Sequence, residues 1–126
     1  RDRPVCTPST GLGYAYPSGH TVAGWTTALL LGRLLPARED AFMQRARVFG
    51  ESRVICGVHW ASDVWAGYMD GSLLFERFEN APKQQALLAE ARTELAEAAR
   101  NATPPDAARC TREAEAAQHS VLAGAL

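Results

Sequence analysis

Hydrophobic residues along the chain recur at the three- and four-residue spacing of α-helices, and no stretch shows the alternation that a β-strand requires. Residues 1–20 are rich in Pro, Gly, Ser and Thr, which predicts an irregular loop. Helices are predicted beyond it over residues 21–35, 38–55, 63–78 and 82–101, and a last helix runs from Asp106 towards Leu126. The pattern therefore predicts an all-α protein.

The first three predicted helices carry the residues of a core. Helix 21–35 is apolar on nearly every side, which is typical of a buried helix, and it is too short to cross a bilayer. Ser62 is predicted to be the N-cap of helix 63–78. The next two helices present apolar faces made of Phe42, Met43, Ala46 and Phe49, and of Val64, Trp65, Tyr68, Met69, Leu73 and Leu74.

The chain changes in composition near residue 80. Helix 82–101 begins with Pro82 in its first turn, and the prolines of residues 103–106 end it, with Asp106 as a cap for the next helix. One face of helix 82–101 carries Leu87, Leu88, Ala91, Leu95 and Ala98. We expect residues 1–80 to form the functional core, and residues 81–126 to be amphipathic helices that pack on it.

Composition excludes some classes of protein. The 126 residues are 47% apolar and 21% charged, as in ordinary globular proteins, and a formal net charge of -1 argues against a nucleic-acid partner. Three cysteines lack the spacing of a zinc site. They allow one disulfide and a free thiol; a buried, inert thiol is expected at Cys56, and Cys6–Cys110 is a candidate bridge. Because the chain opens without a methionine, we expect a fragment or a processed form.

A first cluster of candidate chemistry is "YPSGH" at residues 16–20, directly before the buried helix. The first N–H groups of a helix have no partner within the helix, and its dipole favours an anion there. Ser18 adds a hydroxyl donor, Gly19 allows close approach, and His20 can donate a proton near neutral pH. The alternative is plain capping, with Ser18 as the cap and His20 a polar residue of the first turn.

A second cluster is "SRVICGVHWASD" at residues 52–63. Asp63 follows His59 by one helical turn, and a carboxylate on one imidazole nitrogen leaves the other nitrogen as a directed nucleophile. Arg53 offers a planar fork for an anion. The alternative is again a helix start with a His–Asp pair and a surface arginine. Together the two clusters favour a site for a tetrahedral oxyanion such as phosphate, which requires that their loops converge.

These two motifs, with "RP" at residues 3–4, resemble the three-part signature of the phosphatidic acid phosphatase type 2 superfamily: Lys-x6-Arg-Pro, Pro-Ser-Gly-His and Ser-Arg-x5-His-x3-Asp. "YPSGHTVAGW" and "GESRVICGVHW" are most similar to the bacterial class A non-specific acid phosphatases. The resemblance covers residues 1 to about 75. It implies an all-α helical bundle of the acid phosphatase and vanadium haloperoxidase type, incomplete at its N-terminus.

The resemblance also implies a reaction and its residues. His59 would attack phosphorus to form a phosphohistidine, Asp63 would orient it, and His20 would protonate the leaving alcohol. The phosphate would be held by Arg3, Ser18, Gly19 and Arg53, without a metal or another cofactor. Phosphate monoesters would be the substrates, inorganic phosphate or vanadate would bind the same site, and the protein would be periplasmic or secreted, with a homo-oligomer as one possible state.

One departure from the signature keeps alternatives open. The expected lysine falls before residue 1, and the lysine present, Lys83, lies far along the chain. A non-catalytic fragment that lacks this lysine and the N-terminal helices is therefore an alternative, as is a vanadium-dependent haloperoxidase. A membrane lipid phosphatase ranks lower, because no membrane span is predicted. Outside the motifs, His119 is expected to face solvent, Trp25, Trp60 and Trp65 to be core, with Trp60 alternatively a pocket wall, and Tyr14 and Tyr16 to line the entrance or to pack.

Overall fold

The computed structural model describes Cys6 and residues 14–124, so the predictions for Arg3 and Pro4 lie outside the described residues. Five α-helices follow one another: α1 (Gly19–Leu34), α2 (Glu39–Ile55), α3 (Ala61–Glu79), α4 (Pro82–Asn101) and α5 (Ala107–Ala117). A short 3₁₀ turn, Pro36–Arg38, joins α1 to α2. The described residues contain no strand, and the all-α prediction is confirmed.

Helix α1 is the centre of the arrangement, because α2 and α3 both pack along it. The indole Nε1–H of Trp25 donates to Ser72 Oγ at 2.9 Å, and the Thr26 hydroxyl donates to the Gly71 carbonyl at 3.1 Å, so hydrogen bonds tie α1 to α3. The prediction that this helix is buried on nearly every side is wrong for the described residues. Helices α2 and α3 cover two of its faces and α4 also contacts it, but Ala23 lies on a side that is exposed.

The core reaches from α3 to the end of the chain. Val64 and Tyr68 of α3 pack with Leu122, and all three are buried. Helix α5 ends at Ala117, so the prediction of a helix running towards Leu126 is wrong. The chain turns after α5, and the Leu122 side chain is buried, which stabilises this path.

A buried carboxylate holds this returning segment. Glu51 of α2 accepts hydrogen bonds from Arg47 Nη1 at 2.8 Å, from the Ser120 hydroxyl at 2.8 Å and from the Val121 N–H at 3.1 Å. An ionised group can be buried only with such partners. Burial and the neighbouring Glu51 charge raise the pKa of Tyr68 to about 12, and its hydroxyl donates to the Arg47 carbonyl.

Three large apolar residues of α3 are exposed, although they were predicted to be available for the core. These residues are Met69, Leu73 and Leu74. The face of α3 that meets α1 is made of smaller residues, so the larger ones point outwards. Trp60 is 63% exposed, which contradicts its assignment to the core, whereas Trp25 and Trp65 are half-buried against the core cluster.

Helices α4 and α5 cover the first three helices loosely. Pro82 begins α4 as predicted, and Asp106 caps α5 by accepting the Arg109 N–H at 2.8 Å. Leu88 is the buried residue of α4. His119 is exposed as expected, although it follows α5. Helix α4 contacts α1 and α3, and α5 contacts α2; the domain division at residue 80 stays a prediction.

One disulfide and one free thiol are present, as the odd cysteine count allows, but the predictions of which cysteines pair are wrong. Cys6 and Cys56 form a disulfide, with their Cα atoms 5.2 Å apart, and Cys110 is an exposed free thiol on α5. Cys56 therefore is not an inert thiol, and Cys6 does not pair with Cys110. The tertiary structure brings Cys6 to the C-terminal end of α2, a proximity that spacing along the chain does not reveal. In the described part of the chain, no helix has the length and apolarity needed to cross a membrane.

Candidate active site

The N-terminal end of α1 is capped by Ser18. The Ser18 side chain is fully buried, and its Oγ accepts the Thr21 N–H at 3.2 Å and the Thr21 hydroxyl at 2.9 Å. Such a cap satisfies one of the N–H groups that a helix leaves without a partner. The capping interpretation is therefore observed for Ser18, and it leaves the Ser18 hydroxyl proton available to another acceptor.

The N-terminal end of α3 is capped differently from the prediction. Helix α3 begins at Ala61 after Trp60, and Ser62 lies inside its first turn, so Ser62 is not the N-cap. Asp63 reaches back instead, and its Oδ2 accepts the Trp60 N–H at 2.8 Å. An acidic residue at the third helical position commonly binds the N-cap N–H in this way.

The connection between α2 and α3 turns His59 inwards. Gly57 has a φ of 71°, in the left-handed region that glycine adopts without strain. The N–H groups of Val58 and His59 then donate to the Arg53 carbonyl at 3.1 and 3.3 Å. The chain folds back on the end of α2, and His59 is buried, with 6% of the residue's surface exposed.

The two predicted clusters meet through their backbones. The Ser18 N–H donates to the Asp63 carbonyl at 2.9 Å, which fixes the start of α1 against the start of α3. Gly67 makes this approach possible, because a Cβ there would lie 2.7 Å from Thr21 Cβ and 2.9 Å from the Ser18 carbonyl oxygen. Any larger residue at position 67 would push the two helices apart.

The meeting of the helices brings two histidine rings together. His20 Nδ1 lies 3.0 Å from His59 Nε2, and the ring centroids are 5.2 Å apart at an interplanar angle of 70°. One nitrogen of such a pair must carry the proton and the other must accept it. The two motifs, 39 residues apart in sequence, thus share one hydrogen bond between candidate catalytic groups.

Asp63 lies on the far side of His59. Its Oδ2 is 3.6 Å from His59 Nδ1, which is longer than a hydrogen bond, and among the described residues His59 Nδ1 has no hydrogen-bond partner. Both side chains are buried. A small shift of the imidazole towards the carboxylate would close this gap, and it would place the proton on Nδ1 and the lone pair on Nε2.

Arg53 contributes charge from the last turn of α2. Its Nη2 and Nε donate to Ser52 Oγ at 2.8 and 3.1 Å, and the guanidinium carbon lies 5.0 Å from the centroid of the Phe49 ring. Burial lowers the pKa of His20 below its ordinary value of 6.5, and the charges of His59 and Arg53 lower it further. Arg53 is therefore close enough to act electrostatically on the histidine pair.

Gly19 and Arg3 are the two other predicted phosphate ligands. Gly19 is exposed at the start of α1, and the space that a Cβ would occupy is open. Arg3 lies outside the described residues. Within residues 14–124 together with Cys6, no three His, Cys, Asp or Glu side chains come together in a way that would suit a metal ion.

Two residues that build the site were not identified from the sequence. Thr21 binds Ser18, and Gly67 lets α3 approach both of them. A glycine inside an otherwise regular apolar helix costs about 1 kcal/mol relative to alanine, so its presence at position 67 is itself a signal of close packing. The sequence carried that signal, but it did not indicate which helix the glycine faces.

Comparison with known proteins places this arrangement in context. The profile of the PAP2 superfamily matches residues 1–76. The acid phosphatase of Zymomonas mobilis subsp. mobilis is 40% identical over 119 residues, which cover 91% of this chain and 45% of that protein. The non-specific acid phosphatases of Salmonella typhimurium and Providencia stuartii are 47% and 42% identical over 64% and 65% of this chain, and over 32% and 33% of their own lengths. The chain thus spans less than half the length of these relatives.

Proposed function

The chain belongs to the PAP2 superfamily, and from this premise we propose that it carries the catalytic residues of an acid phosphatase that hydrolyses phosphate monoesters. The names of its relatives support the activity, and each relative is more than twice as long as the stretch that it shares with this chain. The observation that carries the proposal is the 3.0 Å contact between His20 Nδ1 and His59 Nε2. A nucleophile and an acid–base group must lie within such reach of each other and of the reacting atom.

The proposed reaction has two steps. His59 Nε2 attacks phosphorus, so that an N–P bond forms while the P–O bond to the alcohol breaks, and His20 gives its proton to the departing oxygen. Water then attacks phosphorus, its proton passes to His20, and the N–P bond breaks to release orthophosphate. A phosphoryl group does not fit between nitrogens 3.0 Å apart, so the substrate displaces the His20 ring from its contact with His59.

Asp63 prepares the nucleophile in this proposal. Its carboxylate, 3.6 Å from His59 Nδ1, favours a proton on that nitrogen and stabilises the positive charge that the imidazole gains when it binds phosphorus. The same carboxylate holds the Trp60 N–H, which limits its own movement. The hydrogen bond at the start of α3 therefore already fixes the Asp63 carboxylate in the position from which it would orient His59.

The proposed phosphate cradle needs no metal. The guanidinium of Arg53, the hydroxyl of Ser18 and the N–H of Gly19 would bind the non-bridging oxygens, together with Arg3. Preorganised donors of this kind stabilise the charge of a phosphoryl transition state, as a metal does in other enzymes. Arg53 has five N–H donors, so it can keep its bond to Ser52 and still bind an anion.

We also propose that the protein acts in the periplasm or outside the cell. The Cys6–Cys56 disulfide supports this location, because disulfides persist in oxidising compartments and are rare in the cytosol. Recovery of the protein from a periplasmic extract, with these two thiols blocked to alkylation, would agree with it. Recovery from the cytosol with both thiols reactive would argue against it.

The test of the function is hydrolysis of p-nitrophenyl phosphate at mildly acidic pH, with and without EDTA, together with reaction of the protein with a ³²P-labelled ester that is stopped in alkaline detergent. We expect turnover that EDTA does not change and a protein-bound label that is stable in alkali and lost in acid, as expected for phosphohistidine. Loss of turnover in EDTA would contradict the metal-independent cradle. Oxidation of bromide by hydrogen peroxide after addition of vanadate, without release of phosphate, would identify a haloperoxidase instead. Absence of both activities would identify a non-catalytic fragment.

A further inference from the structure

The hydrogen bonds around Ser18 use its hydroxyl oxygen as an acceptor and leave its hydroxyl hydrogen without an acceptor among the described residues. A hydroxyl oxygen accepts through two lone pairs and donates through one hydrogen. Ser18 Oγ accepts from the Thr21 N–H and from the Thr21 hydroxyl, so both lone pairs are occupied. No described residue accepts a hydrogen bond from Ser18, although its side chain is fully buried. The Ser18 proton is thus directed away from Thr21 and needs an acceptor from outside the described residues.

Thr21 is held rigidly in the orientation that produces this arrangement. It is 1% exposed, and its Cβ lies against the backbone of α3 at Gly67. Its N–H belongs to the first turn of α1, so the backbone contact to Ser18 would survive any substitution except proline. The hydroxyl contact depends on the threonine side chain. Without it, one lone pair of Ser18 would be free, and fewer hydrogen bonds would hold the Ser18 hydroxyl in one orientation.

We propose that Thr21 is a positioning residue that occupies the second lone pair of Ser18 and so directs the Ser18 hydroxyl proton towards an oxygen of the bound phosphate. This inference rests on the proposed function, because it takes Ser18 as a phosphate ligand. It goes further in naming a residue that need not touch the substrate. Thr21 thereby affects phosphate affinity indirectly, through its hydrogen bond to Ser18.

A matched pair of substitutions separates the hydroxyl from the packing. Thr21→Val keeps the branched shape that packs against Gly67 and removes the hydroxyl, while Thr21→Ser keeps the hydroxyl and removes a methyl group. The measurements are the dissociation constant of inorganic phosphate by titration calorimetry, its inhibition constant, and kcat and KM for p-nitrophenyl phosphate. A hydrogen bond to a charged group corresponds to about a tenfold or larger change in affinity.

We expect Thr21→Val to weaken phosphate binding about tenfold and Thr21→Ser to bind like the parent protein. Parent-like binding by Thr21→Val would overturn the proposal, and so would a loss in Thr21→Ser as large as that in Thr21→Val, because packing would then explain both. A double-mutant cycle adds an independent arm. In a Ser18→Ala background, Thr21→Val should have no further effect, and a full tenfold loss there would overturn the proposal.

Two features keep this test separate from that of the proposed function. Phosphate binding is measured without turnover, so an inactive protein that binds phosphate still decides the role of Thr21. If Thr21→Val does not fold by circular dichroism, Thr21→Ala replaces it in both the pair and the cycle. Binding that is lost on Thr21→Val, in a protein that shows no phosphatase activity, would sustain the positioning role and reject the enzyme.

Discussion

The segment from α1 to α3 and the segment from α4 to residue 124 are both mainly helical, but they bury residues to different extents. Helix α3 buries seven residues, among them Asp63 and Tyr68, whereas α4 buries Leu88 and α5 buries Ala117. Among the described residues, the buried polar and charged ones are Ser18, Thr21, Glu51, His59 and Asp63, and all five belong to the first segment or to the cap of its first helix. Most polar groups of the second segment face solvent.

This difference in burial shows that the relative positions of the candidate catalytic groups are determined where helices converge. In the first segment, a glycine and backbone hydrogen bonds bring two helix starts together and place two imidazoles in contact. The second segment is held to the rest by a few contacts, chiefly Leu122 and the bonds to Glu51. A helix that packs on one side tolerates change on its other sides, so chemistry is expected where helices converge.

The largest expected effect is on turnover, and it compares substitutions of two histidines, one from each segment. His59→Ala should lower turnover of p-nitrophenyl phosphate by at least about 10³-fold, because it removes the proposed nucleophile. His119→Ala, at an exposed position, is the control and should leave kcat and KM unchanged. Steady-state kinetics on folded proteins check both. Turnover retained in His59→Ala would remove the nucleophile assignment.

Leu122→Ala tests how the second segment is anchored. We expect it to lower the free energy of unfolding by about 2–5 kcal/mol, because it leaves a cavity against Val64 and Tyr68. Val121→Ala is the control beside it, since Val121 is about half exposed and should cost well under half as much. Urea denaturation measures both changes. Equal losses in the two variants would mean that the segment is not held by Leu122.

Gly67→Ala tests the close approach within the first segment. Its Cβ would fall 2.7 Å from Thr21 Cβ, and overpacking of this kind costs about 1–3 kcal/mol. Because the strain falls between the two helix starts, kcat should fall even at temperatures where the variant is folded. The control, Glu94→Ala on exposed α4, should change stability by less than about 0.5 kcal/mol. Unchanged activity in Gly67→Ala would show that the histidine contact tolerates displacement of α3.

The smallest expected effect concerns the titration of His20. Its pKa should lie below 6.5 by NMR, and Arg53→Gln should raise it only in part, because burial is the main cause. The general acid must be protonated, so kcat should fall as pH rises through this lowered value. The folded state binds the proton more weakly than the unfolded state, so the His20 contribution to stability should decline as pH falls below 6.5. A His20 pKa above 6.5 would contradict the environment described for this ring.

Much of the local structure could be predicted from the residues alone. The helices begin and end within about two residues of the predicted limits up to Asn101, since periodicity, proline and capping residues act within one or two turns. The Ser18 and Asp106 caps follow from the same local chemistry. The N-cap at Trp60 was missed because Ser62 is itself a common N-cap residue. The N-cap N–H of Trp60 is instead bound by Asp63, three residues further along the chain. The disulfide was missed because its partners are 50 residues apart.

By itself, the sequence determined the helices, the candidate residues and the family, because each depends on neighbours along the chain or on a motif read in order. Tertiary structure alone decided that His20 and His59 share a hydrogen bond, that Cys6 pairs with Cys56, and that Leu122 returns to the core. It also decided that Met69, Leu73 and Leu74 face outwards. These outcomes depend on which helix faces meet, and that choice is made by burial and close contact between segments far apart in the chain.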